Sequence, residues 1–460
     1  MRHSPTFALL ALLLALLPCS IRAADSLHWR ADKEVLDADL RNAPLIPTFE
    51  ELAAQTGWHI YLEPTAGKTF TTKFTGLPKG QAMHTLIGDM NYAFVPDQDG
   101  PMRLYIFRTS RTAATYEIKA RPSVETAAPV VRKVPNQLVV KLKPGAKIED
   151  LAKKLGAKVK GRIGDLNAYL LEFDTDTALE AARKELASNG DVESTDYNYY
   201  VDAPPAPQKL DNSPVGPPSL SLNPPPANGK VIVGLVDTAV QSESIPPELK
   251  KFLLDQISVA GEASLNGELK HGTSMAETIL RALQAATGGS TSVQVRPVDV
   301  FGPNANANTF DIAKGIIAAV NGGANFINLS LGSDTPSSFL QSVIAQVASK
   351  NIVIFGAAGN THVSTPFYPA GYPGVIAVTA ANQPGQLASY ANYAPYVTVL
   401  APGNSIVFYN GQSWLVTGTS AASAFAAGFA AGIADSHGVS PAAAANSVQT
   451  SMPFNSGNGH

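Results

Sequence analysis

Four polar residues in the second half of the chain have side chains that together can cleave an acyl bond. In chain order they are Asp237, His271, Asn360 and Ser420. A histidine can take the proton of a serine hydroxyl while an acid holds the imidazole in the required tautomer, and an amide can donate to the oxyanion that forms. If the fold brings them together, these residues predict nucleophilic catalysis through an acyl-enzyme.

Three apolar runs predict the buried parallel strands that would position the acid and the amide. They cover residues 230–237, 325–331 and 352–355. Continuous apolar runs are typical of strands covered on both faces, and their carboxyl ends lie at the edge where α/β proteins place active sites. Asp237 ends the first run, and Asn360 follows the third run after a glycine-containing turn.

Two predicted helices begin at the histidine and the serine. His271 opens an apolar stretch over 275–283, and Ser420 precedes the alanine-rich run 421–433. Free backbone N–H groups at a helix start favour negative charge, which suits a serine that generates an oxyanion.

Each of the four residues also has a purely structural interpretation. Asp237 could cap a strand and His271 could simply start a helix. Asn360 could be a left-handed turn residue, and Ser420 could be an N-cap. The four types in this order and setting, taken together, favour the catalytic interpretation.

The sequence around these residues resembles the subtilisin-like serine peptidases over nearly all of residues 228–460, here called the third segment. The matching blocks are VIVGLVDTAV, HGTSMA, NFINLSLGS, FGAAGN, YPAGYPGVIAVTA, SYANYAPYVTVLAPG and GTSAASAFAAG. The resemblance implies a three-layer α/β fold with a parallel sheet. It makes Asp237 the triad acid, His271 the general base and Ser420 the nucleophile. The Asn360 side chain and the Ser420 backbone N–H would form the oxyanion hole.

The same resemblance implies a substrate-binding surface for proteins or peptides. Ser330, Leu331 and Gly332 would pair with the substrate backbone as an added strand. A pocket for the residue before the cut would be lined by Ala357, Ala358 and Gly359. The chemistry needs no cofactor. Structural calcium is common in that family, but no loop is acidic enough to indicate ligands, so its site stays open.

Four positions depart from the family pattern. Ala239 replaces the usual glycine after Asp-Thr, Ala421 replaces a methionine, Ala424 replaces a proline and Phe425 replaces a histidine. None removes a catalytic atom, but they motivate a second hypothesis. In it the third segment is a catalytically silent scaffold that serves as an envelope interaction or sensor component.

The N-terminus has the plan of a secretory signal peptide over residues 1–23. Arg2 and His3 precede an apolar run over 7–17, which is short for a membrane span, and Ala23 offers a cleavage site. A membrane anchor, or a lipid on Cys19, is the alternative. We therefore expect export, either to the periplasm and outer membrane or to the exterior. The single cysteine, Cys19, leaves the rest of the chain without disulfides.

Residues 26–110, the first segment, read as a small α+β domain. Strands are expected at 35–40, 58–62, 69–74, 92–96 and 102–108, with a turn at 97–100 and helices at 48–56 and 79–90. The stretches DADLRNAPLIPTFEELAAQTG and FTGLPKGQAMHTLIGDMNYAFVPD resemble the short N-terminal domain of secretins and TonB-dependent receptors. That resemblance implies an interaction module with a protein partner in the envelope.

Residues 116–202, the second segment, read as another α+β domain. Strands are expected at 137–142, 168–173 and 192–200, and helices at 148–155 and 177–188. The stretch QLVVKLKPGAKIEDLAKKLGAKVKGRIGDLNAYLLEFDT resembles subtilase propeptides. The resemblance implies a folding template and inhibitor whose last residues, near 199–202, lie in the active-site cleft.

A proline-rich linker over residues 203–227 separates this domain from the third segment. Its prolines exclude a helix or a sheet interior, so we expect an exposed extended segment that proteases can cut. The net charge of −3 disfavours a nucleic-acid binder. The absence of a G-x-S-x-G sequence argues against an α/β-hydrolase.

Overall fold

The computed structural model describes residues 26–63, 69–96, 101–114, 116–118, 131–210, 220, 222–223 and 231–454. The predicted signal peptide, the turn at 97–100 and most of the linker lie outside these residues. The chain divides into two units, one up to Glu125 and one from Thr126 onward.

The first unit consists of two small sheets and two helices around one core. Its elements are β1 Ser26–Arg30, β2 Val35–Pro44, α1 Leu45–Thr56, β3 His59–Leu62, β4 Thr69–Pro78, α2 Lys79–Ile87, β5 Asn91–Val95, β6 Arg103–Phe107 and β7 Tyr116–Ile118. One sheet has the order β1-β2-β4 and the other β5-β6-β3-β7, in which β3 and β6 are parallel. Phe49, Leu52, Ile60 and Leu104 are fully buried between them.

Two boundaries differ from the prediction. Helix α1 begins at Leu45 rather than at Thr48, because Pro47 falls in the first turn, where its missing N–H costs no hydrogen bond. Strand β7 pairs antiparallel with β3, so its three residues complete the sheet of the first unit. The second segment was expected to start at Tyr116.

The second segment is an antiparallel sheet with two helices on one face. Its elements are β8 Lys133–Leu142, α3 Ile148–Leu155, β9 Lys158–Ile163, β10 Ala168–Glu172, α4 Asp176–Leu186 and β11 Val192–Asp202. The strand order is β11-β8-β10-β9. Alternation along β8 turns Leu138 and Val140 toward these helices, whereas Val139 packs into the core of the third segment.

The third segment contains a mostly parallel sheet between two helical layers. Its elements are β13 Ile232–Asp237, α5 Pro247–Lys250, β14 Ile257–Ser258, α6 His271–Thr287, β15 Gln294–Asp299, β16 Asn306–Asn308, α7 Thr309–Asn321, β17 Phe326–Leu329, α8 Ser338–Ala348, β18 Val353–Ala357, β19 Val375–Gln383, β20 Gln386–Leu387, β21 Val397–Pro402, β22 Asn404–Tyr409, β23 Gln412–Thr417, α9 Thr419–His437 and α10 Pro441–Ser451. The strand order is β14-β15-β13-β17-β18-β19-β20, and β21 also pairs with β19. The linker contributes β12 Gln208–Lys209.

Helices α6 and α9 pack against each other with their backbones nearly in contact. A Cβ atom placed on Gly428 of α9 would lie only 2.6 Å from the carbonyl oxygen of Ile279 in α6. Most of the buried residues of α9 are alanines, including Ala424 at the position where the family usually has proline. Alanine combines high helix propensity with minimal thickness, which permits this close approach.

The described part of the linker is held against the third segment, whereas we expected the linker to be exposed. Strand β12 pairs with β23, and Leu222 is buried in the core. Asn223 N donates to the carbonyl oxygen of Gly289 at 2.8 Å.

Candidate active site

Asp237 and His271 form a buried pair at the carboxyl edge of the sheet. Asp237 is the last residue of β13 and His271 is the first residue of α6. Nδ1 of His271 lies 2.9 Å from Oδ1 and 3.0 Å from Oδ2 of Asp237. A carboxylate at Nδ1 favours the tautomer that keeps a proton there, which leaves Nε2 able to act as a base.

Ala239 does not disturb this pair. It is buried, and its φ lies outside the left-handed region that the usual glycine would serve. The neighbouring Thr238 accepts a hydrogen bond from Gly272 N through Oγ1 at 2.8 Å. Gly272 cannot be larger, because a Cβ atom would lie 2.1 Å from the Thr238 carbonyl oxygen. The start of the histidine helix is thus locked onto the strand that carries the acid.

Ser420 is the second residue of α9 and lies against the end of the central strand β17. Its Oγ donates to the carbonyl oxygen of Ser330 at 3.2 Å, and Ser330 Oγ donates to the carbonyl oxygen of Ser420 at 2.9 Å. Within the described residues, Ser420 makes no hydrogen bond to His271. Catalytic hydrogen bonds are often long or poorly aligned before substrate binds.

Asn360 is placed beside Ser420 through Thr419. Its Oδ1 accepts hydrogen bonds from Thr419 N at 2.8 Å and from Thr419 Oγ1 at 3.0 Å. Because these bonds occupy Oδ1, the amide is oriented with Nδ2 as its available donor. Thr419 was not predicted from the sequence, although it stands directly before Ser420.

The residues expected to pair with the substrate backbone differ in their burial and in their partners. Ser330 is fully buried, and its Oγ also accepts from Asn328 Nδ2 at 2.9 Å. Leu331 is buried, and Gly332 precedes Ser333, whose backbone pairs with Tyr368. The described structure therefore uses Ser330 to support the nucleophile helix, and a strand-like contact of these residues with substrate stays a prediction.

The turn expected to line a pocket is packed tightly. Ala357 and Ala358 are buried, and Ala358 belongs to a small apolar cluster with Ala377 and Val397. Gly359 N donates to Thr419 Oγ1 at 3.1 Å. The turn thus holds the strand end close to the nucleophile, and its role as a pocket wall stays a prediction.

Gln241 holds the segment that leads into His271 through hydrogen bonds, and the sequence analysis did not identify it. It is 1% exposed. Its Oε1 accepts from Lys270 N at 2.8 Å, one residue before His271, and its Nε2 donates to Tyr409 Oη at 2.8 Å. Nε2 also approaches the carbonyl oxygens of Leu265 and Glu268. A single glutamine outside regular structure has no periodic signal that could have identified it.

A second carboxylate lies beside Asp237. Asp299 ends β15, and its Cα is the register partner of the Asp237 Cα. Its Oδ1 accepts from the backbone N–H groups of Phe301 and Gly302, while its buried Oδ2 has no partner among the described residues. Burial raises the pKa of Asp299 above its usual value, and the nearby charge of Asp237 adds to that rise.

The second segment docks on this domain next to the site. Strand β11 pairs antiparallel with β16, from Tyr200 opposite Asn308 to Asp202 opposite Asn306. Asp196 Oδ2 accepts from Ser337 Oγ at 2.8 Å and from Phe339 N at 2.9 Å. The carboxylate therefore binds the N-terminus of α8, where free N–H groups favour negative charge.

Within the described residues, no group of three or more histidine, cysteine, aspartate or glutamate side chains is arranged to hold a metal ion. The same part of the chain contains no helix long and apolar enough to cross a bilayer.

Comparison with known proteins agrees with this architecture. Residues 228–451 match the model of the Subtilase family, and residues 113–198 match the Fervidolysin N-terminal prodomain. The thermostable alkaline protease of Halalkalibacterium halodurans is 34% identical over 203 residues, 43% of this chain and 55% of that protein. The thermophilic serine proteinase of Bacillus sp. AK1 is 39% identical over 166 residues, 35% of this chain and 41% of that protein. The chain thus spans about half the length of these relatives.

The structure of fervidolysin from Fervidobacterium pennivorans, a keratinolytic enzyme, superposes with a TM-score of 0.53 at 19% identity, covering 67% of this chain and 56% of that one. The epidermin leader peptide processing protease of Staphylococcus aureus superposes with a TM-score of 0.54 at 16% identity, covering 68% of this chain and 92% of that one. These likenesses establish the subtilisin-like fold. Residues 228–451 therefore form a domain of the subtilase family.

Proposed function

We propose that the chain is an exported serine endopeptidase that is made as a precursor and inhibited by its second segment. The observation that carries the proposal is the buried Asp237–His271 pair at the sheet edge that also holds Ser420 and Asn360. In this arrangement His271 Nε2 takes the Ser420 proton as Oγ attacks a peptide carbonyl. The imidazolium then protonates the leaving amine, and water repeats the cycle to release the acyl group.

The oxyanion that forms in both steps would be bound by Asn360 Nδ2 and the Ser420 backbone N–H. Both donors are held before substrate arrives, the first by Thr419 and the second by the helix start. Such preorganised donors stabilise the developing charge without a cost of reorganisation at the moment of reaction.

The test compares protein that starts at Ala24 with its Ser420→Ala twin. Intact mass is followed over time, and a fluorophosphonate probe reports a reactive serine. We expect the wild type to be cut in or just before the linker and to label at Ser420, while the twin does neither. If both stay whole and neither labels after mild proteolysis removes the second segment, the proposal is wrong.

One observation favours the alternative of a catalytically silent scaffold. The Ser420 hydroxyl is bonded to the Ser330 carbonyl oxygen rather than to His271. In a scaffold this bond would be permanent and the probe would not react. In an enzyme the hydroxyl exchanges partners, and the probe labels Ser420.

Export and an envelope partner of the first segment are part of the same proposal. The apolar run near the N-terminus and the small two-sheet unit support them. Fractionation of cells that make the full chain, with detection of the first and third segments separately, tests both. Recovery of the whole chain in the cytoplasm would contradict export.

A further inference from the structure

Five residues that follow the second segment are anchored to the third segment at both ends. They are Ala203-Pro204-Pro205-Ala206-Pro207, here called the strap. Before the strap, Asp202 pairs with Asn306 of β16. After it, Gln208 pairs with Leu415 of β23, and Leu210 N donates to the Ser413 carbonyl oxygen at 3.0 Å.

Each anchor is joined to a residue of the candidate site by a short stretch of chain. Strand β16 follows the turn after Asp299, the register neighbour of Asp237. Strand β23 ends three residues before Ser420. From Asp202 to Gln208 an extended chain reaches at most about 20 Å. The strap is therefore too short for a long detour and must follow a nearly direct path between its two anchors. His271 and Ser420 are each only 6% exposed, as expected for a covered site.

Burial along the strap repeats every three residues. Val201 is buried, Pro204 is half-buried and Pro207 is buried, while Asp202, Ala203, Pro205 and Ala206 are exposed. A repeat of three is the period of the polyproline II helix, which turns every third side chain to the same side. Proline-rich segments favour this helix, so we expect the strap to be stiff, with Pro204 and Pro207 turned toward the third segment. A rod that is rigid before docking loses little conformational entropy when it docks.

The peptide bonds of the strap are poor substrates. Of the six bonds between Asp202 and Gln208, only the first lacks proline; the other five have proline on one or both sides. Proline fixes φ and has no N–H, so it cannot continue the antiparallel ladder that β11 forms with β16. The chain can thus enter the cleft as a strand up to Asp202, but the prolines of the strap prevent it from continuing as a strand past the serine that would attack it.

We propose that the strap is a cleavage-resistant inhibitor that crosses the catalytic serine and continues onto the hairpin β22–β23. The inference rests on the proposed function and deepens it. In this proposal the second segment would cover the side of the cleft before the scissile position, and β12 would occupy the side after it. Maturation must then begin outside the five proline-containing bonds, because the bonds nearest Ser420 resist attack.

The experiment follows self-processing of protein that starts at Ala24. The strap variant Pro204→Ala, Pro205→Ala, Pro207→Ala is compared with a matched control, Pro214→Ala, Pro217→Ala, Pro218→Ala. The control changes the same number of prolines elsewhere in the linker. Intact mass and N-terminal sequencing give the rate and position of the first cut.

We expect the first new N-terminus of the wild type and of the control to fall outside residues 204–208. In the strap variant a new N-terminus should appear inside this range, about tenfold faster, because the chain can now extend as a strand. A wild-type first cut inside the range, or a strap variant processed like the wild type, would overturn the proposal.

A second variant tests the distal anchor. Leu210→Pro removes the N–H that donates to Ser413 and should raise fluorophosphonate labelling of the uncut precursor severalfold. Unchanged labelling would show that this anchor does not cover the serine. Absence of labelling in every variant after proteolytic removal of the second segment would overturn the proposed function as well. Labelling with unaltered processing would overturn the strap alone.

Discussion

Nδ1 of His271 faces both carboxylate oxygens of Asp237, at 2.9 and 3.0 Å. The pair is almost completely buried, so water does not compete with Asp237 for Nδ1 of the imidazole. This geometry makes Asp237 the residue that sets which ring nitrogen carries the proton.

Replacing Asp237 with asparagine should therefore preserve the fold and remove the activity. The side-chain amide would favour the wrong tautomer, and we expect kcat to fall by about 10⁴-fold with little change in KM. Hydrolysis of fluorescently labelled casein by the activated protein measures the effect. Asp255→Asn, at an exposed position of the third segment, is the control. Retention of more than a tenth of the rate would contradict the assignment.

Asn360 offers a sharper test, because its two amide atoms have different partners. Asn360→Ala should lower kcat by about 10²–10³-fold, as expected for loss of one oxyanion donor. Asn360→Asp keeps the oxygen that accepts from Thr419 but lacks the Nδ2 donor, so it should lose at least as much. If the aspartate variant kept full activity, the contribution of Asn360 would be structural, through Thr419.

Gln241 is expected to affect both stability and rate. Gln241→Leu leaves the backbone N–H of Lys270 without its acceptor, and a buried group left unpaired costs about 1–3 kcal/mol. The Tyr409 hydroxyl loses the bond from Gln241 but still donates to the Gly267 carbonyl oxygen. Thermal unfolding in a Ser420→Ala background should show a lower midpoint. In the active protein kcat should fall while KM is unchanged, because the start of the histidine helix loosens. The exposed Gln346→Leu should change neither quantity.

Asp299 predicts a pH dependence of stability. Since burial raises its pKa in the folded state, the folded protein holds this proton more tightly than the unfolded chain does. Its contribution is complete below the unfolded value of 3.8 and is lost as the pH rises through the raised folded pKa. Asp299→Asn cannot ionise and keeps the oxygen that accepts from Phe301 and Gly302.

The difference in unfolding midpoint between Asp299→Asn and its parent, both carrying Ser420→Ala, should therefore shift in favour of the variant between pH 4 and pH 7. Differential scanning calorimetry at several pH values measures it, with Asp174→Asn as the exposed control. A difference that is constant over this range would contradict the assignment.

Asp196 should set how tightly the second segment inhibits. Its carboxylate accepts two hydrogen bonds at the start of α8, and charge-assisted bonds of this kind are among the stronger ones. For the isolated second segment added to activated protein, Asp196→Ala should weaken inhibition by about 10–100-fold. The matched change Asp191→Ala, on the exposed turn before β11, should leave inhibition unaltered.

The sequence predicted the parts of the fold that carry a local signal. The apolar runs that end at Asp237 and precede Asn360 are strands of the parallel sheet, and His271 and Ser420 open helices. These features depend on neighbouring residues only. The expected end of the first helix at residue 56 is confirmed, and Gly57 follows it with a φ of +71°, a conformation that glycine adopts readily.

Features created by distant pairing were missed. Strand β16 is a strand because Tyr200, more than a hundred residues earlier, pairs with Asn308. Likewise β12 exists only through its pairing with β23, and a proline-rich context predicted an exposed linker there. Pairing energy of this kind is absent from any local window, so neither strand could be read from its own residues.

The close contact between α6 and α9 has a consequence for precision. His271 stands at the first turn of one helix and Ser420 at the first turn of the other. Where Gly428 meets Ile279, no flexible side chain separates the two backbones. The close contact of the two helices therefore fixes the distance between His271 and Ser420. Because backbone meets backbone there, rotamer changes elsewhere in the core cannot alter this distance. One methyl group added at Gly428 would clash with the Ile279 carbonyl oxygen and push the two helices apart.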